Sequence, residues 1–425
     1  MIPGDRATYQ QIDQCRACGN KRLVPVLDLG FQCLTGIFPR SDADVVPTAP
    51  LQLVRCEEDG SGEGCGLVQL RHSTDPGQMY GANYGYRSSL NASMVAHLRL
   101  KALSLSGAAG LAPGDLVLDI GSNDGTLLSQ YPMTGLALVG VDPTADRFAR
   151  YYRSDITAVP EFFSAGLFRK RFRHRQAKLV TSIAMMYDLE RPVEFMREVA
   201  SILAPDGVWH FEQSYLPAML SSCAYDTICH EHLEYYGFLQ IRRMVGEAGL
   251  RVLDVSCNSV NGGSFAVTVT KDESSLSPNR AAIDALVASE EAAGLAGPAP
   301  YDRFRERVWR HRDDLVSLLK ALRSSGKIVA GYGASTKGNV LLQFCGLGEA
   351  EIPFIADVNA DKWGCSTPGT RIPIISESEA RSRMPDYFLV LPWHFRENII
   401  RRESEFLASG RGLIFPLPMI EIVRS

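Results

Sequence analysis

Residues Leu116 to Leu128 read LVLDIGSNDGTLL: an apolar strand from Leu116 to Ile120, the turn Gly121-Ser-Asn-Asp-Gly125, and then the start of a helix. Glycines in such a turn let the backbone approach a ligand. Ala137 to Thr144, ALVGVDPT, is a second strand ending in Asp142, a carboxylate able to accept both hydroxyls of a ribose. A dinucleotide fold would need G-x-G-x-x-G to cradle a pyrophosphate, and this turn lacks it. The alternative is a bare Rossmann-like turn with no ligand. The alternation continues through Lys178–Tyr215. There the strand LVTSI leads to a loop, a helix ending at Pro205-Asp-Gly207, and the strand VWHFEQ. Strands alternating with helices at this spacing imply right-handed crossovers and a parallel sheet.

On the N-terminal side short polar stretches separate LVPVLDL and LQLVRC, helical periodicity is absent, and the segment has little core of its own. CRAC supplies Cys15 and Cys18, and Cys56 and Cys65 follow before GLVQL. Two cysteine pairs can close a tetrahedral structural zinc site with no open position, and zinc then contributes folding energy. The second pair is spaced Cys-x8-Cys around EEDGSGEG, and unrelated thiols are the competing reading. The remaining cysteines show no ligand-like spacing. On the C-terminal side, charged helical sequence from Asn279 to Leu322 is interrupted by GLAGPAPYD. KIVAGYGASTKGNVLLQFCGL (Lys327–Leu347) then repeats the strand, glycine turn and helix, and IPFIADVNADKWGCSTPGTRIPII and DYFLVLPWHF supply later strands. This is no Walker A loop, because Asn339 follows Gly338. Backbone amides at the helix start can still hold a phosphate, with Lys337 as a point charge. Two such units suggest an internal duplication of architecture.

Composition narrows the partners. The 425 residues are 45% hydrophobic and 22% charged with a net charge of −4, which gives no long-range pull toward nucleic acid or an acidic membrane. The basic run FRKRFRHRQAK (Phe168–Lys178) reads as a solvated helix face or as a phosphate contact. No membrane span or signal peptide is legible, so a cytoplasmic protein is expected.

The turn GSNDG resembles the first motif of class I S-adenosylmethionine-dependent methyltransferases, whose ligand is a nucleoside without phosphates. CRAC with Cys56 and Cys65, NYGYRSSLNASM, SNDGTLL, HEHLEYY, NGGSF and GYGASTKGNVLL occur in this order. Nearly the whole chain thereby resembles the sugar-nucleotide C-methyltransferase family. That resemblance implies an α/β fold: a doubly wound class I methyltransferase sheet, a small N-terminal zinc-binding module and a C-terminal Rossmann-like domain. Residues 1–75, 76–275 and 276–425 would form the three parts, the last including a helical connector. It implies S-adenosylmethionine and structural Zn2+ as cofactors, with Cys15, Cys18, Cys56 and Cys65 as ligands. Asp119, Gly121, Asn123, Asp142, Pro143 and Ser182 would line the donor pocket. The substrate would be an NDP-bound 4-keto-6-deoxy sugar, methylated on carbon beside the ketone, with Lys337, Asn339, Ser335 and Asn261 holding it. A monomer or homodimer is expected.

A C–H beside a carbonyl is a weak acid, so the chemistry needs a base and a donor to the enolate oxygen. His232 matches the family's catalytic histidine, with Glu231 and His230 positioning substrate and base, and Tyr84 or Tyr86 donating to the enolate. The chain departs from the family at Cys229, commonly tyrosine, and at Met185, often histidine; Tyr187 or Glu212 can take part instead. Other readings of the cluster are a metal site, disfavoured because Glu234 stands where HExxH needs histidine, and a structural polar cluster. An O- or N-methyltransferase, a zinc-ribbon RNA methyltransferase and a nucleotide sensor remain as alternative functions.

Overall fold

The strand Leu116–Ile120 is buried along its whole length because it lies in the middle of a seven-stranded sheet, with neighbours on both edges and covered faces. The structure, a computed structural model, describes residues 9–41, 43–58, 64–79 and 87–424. Across the sheet the strands run Ile156–Val159, Ala137–Val141, Leu116–Ile120, Ala177–Ile183, Leu203–Ser214, Ser264–Lys271 and Leu250–Asn258. In chain order this is 3-2-1-4-5-7-6, with only Ser264–Lys271 antiparallel to its neighbours. The order reverses between Leu116–Ile120 and Ala177–Ile183, so a crevice opens at the carboxyl ends of these strands.

Two helix boundaries differ from expectation. Beyond Gly125 the chain makes only a 3-10 turn, Leu128–Gln130, because Pro132 follows before a second helical turn can form. The helix Pro192–Ile202 stops short of Pro205-Asp-Gly207; that tripeptide lies inside Leu203–Ser214, where the pairing register shifts between Leu203 and Val208.

A six-stranded sheet follows in the order Ile374–Ser376, Ile355–Asp357, Val329–Tyr332, Tyr387–Val390, Gly412–Phe415 and Glu421–Val423, parallel except at the last pair. Its first five strands repeat the 3-2-1-4-5 order. The helices Arg280–Ala292 and Ala299–Ser324 connect the two sheets.

The N-terminal strands Leu23–Cys33, Thr48–Cys56 and Val68–Leu70 form an antiparallel sheet whose fourth strand, Glu234–Tyr235, comes from the centre of the chain. Leu27, Leu51 and Leu53 from this sheet share one core with Ile228, Leu233, Val340 and Leu342. The segment from Tyr225 to Tyr235 therefore lies between the N-terminal and six-stranded sheets, and Leu233 N ties it to the loop after Ala177–Ile183 by donating to the Tyr187 carbonyl at 2.6 Å. Among the described residues no helix is long and apolar enough to cross a membrane.

Candidate functional site

The cysteine cluster comes together as its spacing predicts. The four sulfurs lie within 4.8 Å of one another, with Cys15–Cys65 at 3.6 Å and Cys18–Cys56 at 3.5 Å. Tetrahedral zinc with ~2.3 Å bonds needs thiolates about 3.8 Å apart, so the geometry fits the ion. The Cys15–Gly19 turn is closed by Gly19 N donating to Cys15 O at 2.9 Å, with Gly19 at φ +75°.

At the crevice, Gly121 has φ +76°, and a Cβ there would come within 3.2 Å of the Met185 side chain. Asp142 ends its strand with one oxygen accepting from Asn123 N at 2.8 Å and the other from Thr144 N at 2.7 Å. Thr144 Oγ1 also donates to the second oxygen, at 2.5 Å, so the first is the one that keeps a lone pair for a further donor. Pro143 beside it is half-buried. Asn123 accepts from Ser88 N at 3.0 Å through its side chain, which ties the turn to the segment after residue 86. Asp119 is 3% exposed and accepts from Thr181 Oγ1 at 2.6 Å; burial pushes its carboxyl up to about 7. These groups fit a cationic nucleoside, with the glycine leaving room and the two carboxylates supplying acceptors. Ser182 points elsewhere: it is fully buried and accepts from the Trp209 indole at 3.1 Å.

Across the crevice, His232 lies on the segment between the sheets. Its Nδ1 is 2.9 Å from the Thr227 carbonyl oxygen, and its ring packs on Tyr187 at 4.3 Å. A carbonyl only accepts, so Nδ1 carries the proton and Nε2 keeps its lone pair. Burial pushes His232 down to about 4, the Lys337 ammonium adding to the effect and the Thr227 carbonyl opposing it. His232 is thus neutral at pH 7.

The other members of the cluster separate by role. His230 is buried and turns Nε2 to the Ala49 carbonyl at 3.1 Å, so it joins two sheets rather than facing the crevice. Half-buried Glu231 reaches Thr35 Oγ1 at 3.5 Å, and burial raises its carboxyl. Cys229 is buried in the core. Tyr84 and Tyr86 lie outside the described residues. Glu212 is saturated by His97 at 2.6 Å, Lys101 at 2.6 Å and Asn258 at 2.8 Å.

On the C-terminal side, Ser335 caps the helix Thr336–Cys345 by accepting from Gly338 N at 3.0 Å. Lys337 donates to the Asn261 carbonyl at 3.0 Å, and Asn261 takes φ +54° to present it. Asn339 is fully buried and donates to the Thr35 carbonyl at 2.7 Å; it pins the N-terminal loop and does not face a phosphate. Two residues that spacing did not single out complete the junction. Trp393 donates to buried Asp226 at 2.7 Å, and the Thr227 carbonyl orients the histidine.

Comparison with known proteins follows the same division. Family profiles match residues 15–80 as a zinc binding domain, 94–255 as a methyltransferase domain and 259–418 as a C-methyltransferase C-terminal domain. The C-methyltransferase NovU of Streptomyces niveus is 34% identical over 418 residues, covering 97% of each chain. Similar solved structures cover less than half of the chain. An S-adenosylmethionine-dependent methyltransferase from Clostridium acetobutylicum ATCC 824 covers 42% of this chain and 92% of its own, at 13% identity and TM-score 0.34. The mitomycin 7-O-methyltransferase MmcR covers 43% and 55%, at 14% identity and TM-score 0.34.

Proposed function

We propose, from the premise that this chain belongs to the C-methyltransferase family and is an S-adenosylmethionine-dependent methyltransferase, that it methylates a ring carbon beside the ketone of a nucleotide-activated keto-deoxysugar. The observation that carries this reading is the His232 tautomer. The hydrogen bond from Nδ1 to the Thr227 carbonyl leaves Nε2 as an acceptor, on a segment that borders the crevice. A carbon acid needs such a base, whereas transfer to an already nucleophilic oxygen or nitrogen does not.

S-adenosylmethionine, when bound, supplies an electrophilic methyl group on a sulfonium. Gly121 would leave room for its chain, Asp119 would offer a carboxylate to its cationic end and Asp142 would accept from a ribose hydroxyl. His232 Nε2 takes the proton from the sugar carbon. The Lys337 ammonium, held at the head of its helix, neutralises substrate charge nearby. As that charge is neutralised, His232 is relieved of one of the influences that hold its basicity down. Cys15, Cys18, Cys56 and Cys65 hold zinc as a fold element.

The test is solvent deuterium exchange into a 4-keto-6-deoxy sugar nucleotide without methyl donor, comparing wild type with His232→Asn. Wild type should exchange the C–H, and the variant should lose about 10²–10⁴-fold in exchange and in methyl transfer. Binding of S-adenosylhomocysteine should be unchanged. Methyl transfer without any exchange would instead mark an O- or N-methyltransferase.

A further inference from the structure

We propose that Gln69 and Arg16 are positioning residues for His232, so that the zinc-binding module is part of the catalytic apparatus. The inference rests on the reading of His232 as the base. Gln69 makes contacts of three kinds. Its Nε2 donates to Cys15 Sγ at 3.2 Å, and its Oε1 accepts from Arg16 N at 3.1 Å. Its backbone is the register partner of Glu234, two residues beyond His232.

Arg16 extends the brace. Its side chain, 2% exposed, donates to the Leu70 carbonyl at 2.6 Å and to Ser73 Oγ at 2.7 Å. Its Nε lies 3.3 Å from the Glu190 carboxylate and 3.9 Å from that of Glu234. Glu190 and Glu234 sit on the two segments that converge on the histidine, one shortly after Tyr187 and the other shortly after His232. The backbone closes the set: Leu233 N donates to the Tyr187 carbonyl at 2.6 Å, and Leu70 N donates to the Leu233 carbonyl at 2.8 Å. A guanidinium serves these acceptors because its donors are fixed in one plane, which an ammonium cannot imitate. An amide bonded to a metal-ligating sulfur is the kind of outer partner that orients a metal site. Here the same residue passes that orientation toward the base through its backbone pairing with Glu234.

The inference is tested in the full chain with Arg16→Lys and Gln69→Leu, beside His232→Asn, which also assigns the His232 resonance. The first readout needs no substrate: the NMR titration of the His232 ring. With the brace broken, its midpoint should move from about 4 toward the ordinary 6.5, while bound zinc and S-adenosylhomocysteine affinity stay within about twofold of wild type. With dTDP-4-keto-6-deoxyglucose as probe, deuterium exchange and kcat should fall by about ten- to hundredfold at little change in KM, because small misplacement of a base acts on rate. An unmoved titration in both variants overturns the inference. If Gln69→Leu releases zinc, Arg16→Lys decides alone, since it leaves the Gln69–Cys15 bond in place. If His232→Asn keeps full exchange, the base assignment fails, whereas a moved titration still stands for the brace.

Discussion

Asp119 and His232 show how burial moves two kinds of group in opposite directions, a carboxyl up and an imidazole down. Burial lifts Asp119 to about 7, with the Thr181 hydroxyl opposing and the Asp142 charge assisting. A cationic ligand prefers the ionised carboxylate. S-adenosylmethionine affinity should therefore rise with pH through about 7 and level off above it, and Asp119→Asn should weaken binding and flatten the profile, as calorimetry across that range will show. The four cysteines were legible because their chemistry follows from local spacing, and the places of Asp119 and Asp142 near the ends of adjacent strands followed from the strand–turn pattern. Asn339, Ser182 and His230 were read as ligand groups, yet their partners are Thr35, Trp209 and Ala49. Whether a polar side chain turns to a cleft or to a core depends on which distant strand arrives beside it, and spacing does not contain that.

The helix Phe238–Glu247 begins at Gly237, which has no side chain to satisfy the first amides. Glu290, 1% exposed on the helix Arg280–Ala292, does so from a distance, accepting from Phe238 N at 2.5 Å and Leu239 N at 3.0 Å. These buried donors have no other means of satisfaction among the contacts described, and the helix start favours negative charge. Glu290→Ala should cost about 1–3 kcal/mol in urea unfolding, from stranded donors. Strands were legible at this scale because runs such as Leu116–Ile120 are apolar but for one residue, Asp119. Helix ends were less so. The expected helix after Gly125 shrinks to one 3-10 turn, and the strand Leu203–Ser214 begins before the Pro-Asp-Gly that was read as the helix end.

For the whole molecule, six histidines are pushed down, His72 and His311 among them. Burial leads in each case, and it puts His210 and His394 at about 3 and His230 and His232 at about 4. Their folded values lie below the 6.5 of an unfolded histidine, so the unfolded chain binds more protons once pH drops under 6.5. The histidines' contribution to stability should be full above 6.5 and be lost as pH decreases toward 4, so the difference in urea midpoint between wild type and His210→Gln should change in wild type's disfavour across that window. The plan of an α/β methyltransferase sheet, a second strand–turn–helix unit and a zinc-binding module was legible from two glycine turns and a cysteine quartet, but the junction between them was not. Its contacts join Asp226 to Trp393 and Asn339 to Thr35 across long stretches of chain. The strand Glu234–Tyr235 has a consequence for biosynthesis. As the polypeptide leaves the ribosome, the edge of Val68–Leu70 stays unpaired until residue 235 emerges. At translation speeds of about 5–20 residues per second that wait lasts on the order of ten seconds or more, and for its duration the nascent module exposes a sheet edge open to wrong partners.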